Sequence, residues 1–174
     1  MTFDTRQKVL VVDDNEDNRI VLERFLVNCG YAVTTCDSGQ AALALVSKQT
    51  PDIMLLDWMM PGVSGLETLC AIRELYDSVR LPIIMCTALD EDVSVVSAIS
   101  LGANDYVTKP INLAILRARM ALHLKQRSMM VGIVNEKADV EQRLGEQTRR
   151  LLGSADDQPG PPPRADGDAP GGNA

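Results

Sequence analysis

Five short runs recur through the first two thirds of the chain, Lys8 to Val12, Ala32 to Cys36, Asp52 to Leu56, Pro82 to Cys86 and Asp105 to Thr108. Each is nearly continuous in β-branched and other apolar residues. A strand with one wet face alternates apolar and polar; a run without alternation predicts a strand buried on both faces, as in a parallel sheet. The stretches between them, near Glu16 to Cys29, Gly39 to Lys48, Ser64 to Tyr76 and Asp90 to Ser100, have helical period, and a last one starts near Leu113. Parallel neighbours need a crossover, and crossovers are right-handed, so five βα units predict an α/β fold with a doubly wound parallel sheet. In the first helix Ile20, Val21, Phe25 and Leu26 are expected to form the inward stripe. Gly30 and Gly102 follow helices at positions where a left-handed cap would end them.

After residue 113 the alternation stops. Leu113 to Leu152 contains no proline and only two glycines, Gly132 and Gly145, which predicts one helix longer than a small domain needs. A heptad seam through Met130, Ile133, Lys137, Val140, Leu144, Gln147 and Leu151 is apolar at five of its seven positions. That seam fits a dimerising coiled coil; a solvated, frayed helix is the alternative. Beyond it, SADDQPGPPPRADGDAPGGNA holds too little apolar surface to offset its ordering entropy and is expected to be disordered. The organisation read from these patterns is a folded domain over 1–124, a helical extension over 125–152 and a disordered tail over 153–174.

Composition excludes several classes. No apolar run approaches the roughly 20 residues of a membrane span. The opening MTFDTRQK lacks the apolar core and cleavage site of a secretory signal, so a cytoplasmic chain starting near Met1 is expected. Cys29, Cys36, Cys70 and Cys86 show no C-x-x-C spacing and sit in apolar segments, as reduced core thiols do. A single histidine leaves little room for zinc, haem or histidine-based nucleophile chemistry. Residues 1–113 carry 8 basic and 16 acidic side chains, against 8 and 4 over 114–152 and 1 and 4 over 153–174. A net-acidic globular part argues against a large nucleic-acid-binding face.

In an open parallel sheet, ligands bind beyond the carboxyl ends of the strands. The first run ends in Asp13 and Asp14, the third in Asp57, the fourth in Thr87, and the fifth in Lys109 followed by Pro110. These groups are expected to converge on one rim. Three clustered carboxylates repel one another unless a cation sits among them, and a small set of hard oxygen ligands suits Mg2+. With no Ser/His or Cys/His pair, acyl transfer is a poor fit. Phosphoryl transfer onto a carboxylate fits: Asp57 attacks, Mg2+ and Lys109 offset charge on the equatorial oxygens, and Thr87 binds one of them.

The stretches VLVVDDNEDNR at 9–19, DIMLLDWMMPGVSG at 52–65, PIIMCTA at 82–88 and GANDYVTKPI at 102–111 resemble the receiver domain of bacterial two-component response regulators, over roughly residues 7–124. The resemblance implies a flavodoxin-like (βα)5 fold with strand order 2-1-3-4-5. It implies that Asp57 is the phospho-acceptor, that Asp14 binds Mg2+ directly and Asp13 through water, and that the Met59 backbone carbonyl is a third protein ligand. Thr87 would be the switch hydroxyl, Lys109 the phosphate-binding lysine and Tyr106 the aromatic switch partner, with a cis Lys109–Pro110 peptide. On phosphorylation Thr87 would move inward, Tyr106 would fill the vacated space, and the face of the fourth helix, fifth strand and fifth helix, with Ala98, Leu101 and Ala103, would be remodelled. The two positions that tune lifetime in such domains are Met59 and Leu89 here; neither can orient a water, which implies slow to moderate autodephosphorylation.

Other residues have ordinary explanations. His123 lacks the neighbours of a kinase phospho-histidine and reads as structural or solvated, and Trp58 as a partly exposed loop aromatic. Arg117, Arg119, Lys125 and Arg127 read as the solvated face of a helix. The function that follows is a response regulator without a recognisable output domain, not an enzyme beyond its own phosphoryl transfer and slow phosphate loss. Its partners would be a sensor histidine kinase or phosphotransfer protein, a downstream effector protein and a homodimer, with no direct nucleic acid. The alternative is the receiver portion of a larger regulator whose diguanylate cyclase, phosphatase or DNA-binding effector lies outside this chain. A DNA-binding transcription regulator would need a further folded segment with a recognition helix, and only 22 weakly structured residues follow Leu152. An aspartyl-phosphate phosphatase lacks its D-x-D motif at Asp57. A flavodoxin would not carry the acidic DDNEDN in its phosphate loop.

Overall fold

A computed structural model describes residues 5–88 and 92–153 of the chain. Five strands and five helices alternate among the described residues: β1 (Lys8–Val12), α1 (Glu16–Asn28), β2 (Ala32–Cys36), α2 (Gly39–Lys48), β3 (Ile53–Asp57), α3 (Gly65–Arg73), β4 (Ile83–Ala88), α4 (Asp92–Ser100), β5 (Asp105–Lys109) and α5 (Leu113–Gly153). All strand pairs are parallel, in the order β2-β1-β3-β4-β5, so the expected doubly wound architecture is the one found. Two compact units divide the chain, Met1–Ile133 and Val134–Ala174. The expected tail lies outside the described residues, apart from Gly153. So do Asp90 and Glu91, at the start of the expected fourth helix, and Leu89.

The apolar strands sort by parity. Val9, Val11, Ile53, Leu55, Ile84, Cys86 and Val107 face Leu22 and Leu26 of α1 and Leu116, Met120 and Leu124 of α5. Leu10, Val12, Met54, Leu56, Ile83 and Met85 face Ala42, Val46, Leu69, Ile72 and Ala98 of α2, α3 and α4. With successive side chains on opposite faces, two buried faces require an unbroken apolar run, and this is what the sequence contains. Each fully buried Leu, Ile or Met contributes about 1.5–3 kcal/mol relative to exposure.

Local signals set the helix ends. Asn15 and Ser38 cap α1 and α2, and Ser64 caps α3 in a capping box with Glu67, an arrangement that satisfies otherwise orphaned N–H groups. Gly30 and Gly102 have φ of +93° and +100°, the left-handed conformation expected of them. The α3 helix stops at Arg73, short of Tyr76. The half-buried Arg73 guanidinium then binds the carbonyls of Tyr76, Leu81 and Gly102 and the Asn104 side chain, at 2.7–3.3 Å.

Four expectations are corrected. On α1, Leu26 is buried and Phe25 packs half-buried against the same core as expected, but Leu22 completes that face while Ile20 and Val21 are 43% and 53% exposed; i and i+4 share a helix face, and residues 20 and 21 are turned away from it. On α4 and the following loop, Ala98 and Ala103 are buried, so Val96, Ile99 and Leu101 form the exposed surface. Of the four free cysteines only Cys86 is in the core, the others being half-buried. Burial pushes the Cys86 thiol up to about 12 and that of Cys36 to about 11, which keeps both protonated.

The fourth correction concerns the basic run. Arg117 and Lys125 are exposed, but Arg119, His123 and Arg127 lie at i, i+4 and i+8 and dock on the amino ends of the strands. Arg119 pairs with Asp105. His123 is buried, with Nε2 3.2 Å from the other Asp105 oxygen. Arg127 reaches Asp52 at 2.8 Å and the Arg80 carbonyl at 3.0 Å, and Asp52 also accepts from Lys8 N at 2.7 Å.

Candidate functional site

At the opposite, carboxyl end of the sheet, strand parity decides which side chains meet. Asp57 continues the Ile53 and Leu55 side of β3, Asp13 the Val9 and Val11 side of β1, and Lys109 the Val107 side of β5. All three therefore rise on the α1/α5 side. Thr87 and Tyr106 fall on the other, where Tyr106 packs half-buried against the second core cluster.

Asp13, Asp14 and Asp57 each bring a carboxylate oxygen within 4.8 Å of the others. Asp13 and Asp57 are only 2% and 4% exposed, unlike an ordinary surface acid pair; Asp14 is exposed. Lys109 Nζ lies 2.8 Å from Asp57 Oδ2 and 3.0 Å from Asp13 Oδ2. Burial pulls its ammonium down, but the two carboxylates outweigh this and hold it above the usual lysine range. At Asp57 the balance falls the other way. Burial pushes its carboxyl above the ordinary aspartate range, and the contacts with Lys109 and the Met59 N–H do not cancel that. One ammonium thus leaves the cluster short of positive charge. Its donors are oxygens alone, and the neighbouring Cys86 thiol is buried and protonated. A hard divalent ion of the Mg2+ type fits this set.

The first loop is held from α1. Asn15, the α1 cap, donates its N–H to Asp13 Oδ1 at 2.9 Å. Asn18 Nδ2 lies 3.2 and 3.1 Å from the two Asp13 oxygens. Arg19 Nη1 donates to the backbone carbonyls of Asp13 at 2.8 Å and Asp14 at 3.0 Å. Asn18 and Arg19 were missed in the sequence; the only signal was their place one helical turn after the acidic pair.

The remaining expected site residues are placed as follows. Thr87 is buried at the same rim, one residue past Cys86, which pairs with Asp57 across the β3–β4 register. Its hydroxyl donates to the Ala88 carbonyl at 3.1 Å. The Arg119 guanidinium sits 5.8 Å from the centre of the Tyr106 ring. The Met59 side chain is 72% exposed. The Lys109–Pro110 peptide bond is cis. Trp58 is half-buried and packs against the α2/α3/α4 core. Among the described residues no helix is long and apolar enough to cross a membrane.

Comparison with known proteins finds a family and solved relatives of the same fold. Residues 9–121 match the response regulator receiver domain. The phosphate regulon transcriptional regulatory protein PhoB of Rhizobium meliloti (strain 1021) is 39% identical over 145 residues, which is 83% of this chain; the chain spans 63% of that relative. Two solved structures are each 30% identical with a TM-score of 0.63. The Vibrio cholerae chemotaxis protein CheY4 is matched over 67% of this chain and 98% of its own. The BeF3-activated N-terminal receiver domain of Klebsiella pneumoniae RstA is matched over 68% and 98%.

Proposed function

Because the chain belongs to the response regulator receiver domain family, we propose that it is a phosphorylation-dependent switch whose acceptor is Asp57. The observation that carries this reading is a buried Asp57 in contact with Lys109 at 2.8 Å and sharing a 4.8 Å cluster with Asp13 and Asp14. A carboxylate oxygen of Asp57 forms a bond to phosphorus while the bond from phosphorus to the donor breaks, the donor leaving with that electron pair. The donor proposed is the phospho-histidine of a sensor kinase or phosphotransfer protein, whose imidazole departs. Val21, Ile111 and Leu113 support such docking, since with Asn18 and Lys109 they line one groove whose apolar surface is exposed or half-exposed.

Asp13, Asp14, Asp57 and the Met59 carbonyl would hold Mg2+. When bound, Mg2+ supplies the positive charge that phosphoryl oxygens require. Lys109 gives up part of its contact with Asp57 and takes a phosphoryl oxygen. The Thr87 hydroxyl exchanges the Ala88 carbonyl for another of these oxygens, and Tyr106, on the same side of the sheet, follows into the space beside it. The α4–β5–α5 surface presented to a protein partner would be built from Val96, Ile99, Leu101, Ile115 and Leu122, all exposed. In the second unit, α5 exposes Val140 and Leu144, the apolar positions through which we propose homodimerisation. Its place of action is the cytoplasm, where histidine kinases present their phosphoryl groups.

Incubation with acetyl phosphate and Mg2+, followed by intact mass and light scattering, tests this reading. The wild type is expected to gain one phosphoryl group and Asp57→Asn none. An equal gain by the variant overturns the assignment of Asp57, and an unchanged monomer with and without phosphate overturns the homodimer alone.

A further inference from the structure

Asp13 and Asp14 are consecutive, and consecutive side chains of a strand point to opposite faces. Both can serve one ion only if the backbone leaves strand geometry between them and is held there. Asp13 N still donates to Cys36 O at 3.2 Å, the last rung between β1 and β2. Immediately after it, a single nitrogen of Arg19 binds the carbonyls of both Asp13 and Asp14, at 2.8 and 3.0 Å. Successive carbonyls of an extended chain point in opposite directions, so one nitrogen reaches both only where the chain has turned them to the same side.

Helix capping does not explain these bonds. Asn15 already caps α1 by accepting from Asn18 N at its side-chain oxygen at 3.2 Å, and Arg19 N donates to Asn15 O at 3.2 Å within the helix. The guanidinium is free of that duty and is spent on the loop. Asn18 adds a second hold, its amide spanning both oxygens of the Asp13 carboxylate.

We infer that Arg19 is a positioning residue for the cation site: it fixes the bend that brings the Asp13 and Asp14 carboxylates onto one ion, while Asn18 fixes the rotation of Asp13. The inference rests on the cation-dependent reading above. Groups that orient metal ligands typically change metal affinity by 10- to 100-fold when removed. The two N–H bonds of Nη1 diverge within the rigid plane of the guanidinium and can each take one carbonyl, whereas an ammonium on a flexible stem is a compact donor without that fixed geometry.

The test is the Mg2+ dissociation constant of the full chain, by calorimetric titration, for wild type, Arg19→Ala, Arg19→Lys and Asn18→Ala, with the metal-free melting temperature beside it. Arg19→Ala is expected to weaken Mg2+ binding about 10-fold or more, Arg19→Lys to fall between it and wild type, and Asn18→Ala to weaken binding less than Arg19→Ala. Saturating Mg2+ is expected to bring the acetyl phosphate reaction of each variant back toward the wild-type rate, because affinity and not the attacking group has changed. Wild-type Mg2+ affinity in Arg19→Ala overturns the inference. So does a loss of affinity matched by an equal loss of metal-free stability, with Lys no better than Ala. If Arg19→Ala does not fold, Asn18→Ala and Arg19→Lys carry the comparison, and wild-type affinity in both overturns it. A wild type that binds no Mg2+ is a different result, which overturns the functional reading itself.

Discussion

The two ends of the sheet use the same residue type to opposite effect. At the amino end, Asp52 and Asp105 meet Arg127, Arg119, His123 and the Lys8 N–H, so that each carboxylate is matched by cations or donors from α5 and the strands. At the carboxyl end, Lys109 bridges Asp13 and Asp57 while the exposed Asp14 completes the cluster, and burial pushes the Asp57 carboxyl above its ordinary range. Matched acids at the base fasten α5 to the domain. Under-matched acids at the rim leave a place for a cation and a phosphoryl group. Location along the strand, not residue type, separates structure from function here.

The largest contrast is chemical. Asp57→Asn is expected to abolish phosphoryl uptake from acetyl phosphate, while Asp105→Asn is expected to leave it intact; intact mass distinguishes them, and loss of uptake in Asp105→Asn would erase the distinction between the ends. The reverse holds for stability. Asp105→Asn leaves Arg119 and His123 without their carboxylate at partly buried positions, a loss of about 1–3 kcal/mol, visible as a melting temperature lower by several degrees. Mg2+ affinity should not change in that variant.

Titration sharpens the comparison further. A carboxyl raised in the folded state contributes stability that is full below its unfolded value, near 3.8, and is lost as pH rises through its folded value. Without metal, the wild type is therefore expected to lose stability relative to Asp57→Asn between acid and neutral pH, and Mg2+ to restore it. Melting temperatures of both proteins across that range, with and without Mg2+, give the sign; a wild type that gains on the variant as pH rises without metal would contradict it. The smallest effect expected is on lifetime. Met59 is an exposed apolar residue two positions past Asp57, and Met59→Asn combined with Leu89→Glu should shorten the phosphorylated state several-fold by orienting water. Decay of the phosphorylated mass with time checks this.

Much of this contrast was legible in the sequence at the rim and little of it at the base. Unbroken apolar runs specify two buried faces, and each run ends in a polar residue, so the sequence alone gathers Asp13, Asp57, Thr87 and Lys109 onto one rim. Partners contributed from a distant helix leave no such mark. Arg119 and Arg127 look like any solvated helical cations until Asp105 and Asp52 are seen beneath them, 14 residues away in sequence for the first pair. Ile20 and Val21 misled for a related reason: apolar residues on two sides of α1 give a pattern that does not say which side faces the sheet. Ala98 and Ala103 are small enough to sit under a helix or on it, and only packing decides. Arg19 acts on backbone carbonyls, which the sequence does not display.

A crystal structure of the protein grown with Mg2+ addresses the central claim most directly. The account predicts an ion among Asp13, Asp14 and Asp57, with oxygen ligands at about 2.0–2.1 Å and Lys109 still beside Asp57. A rim with no ion at saturating Mg2+, its charge balanced by Lys109 bridging Asp13 and Asp57 alone, would contradict it.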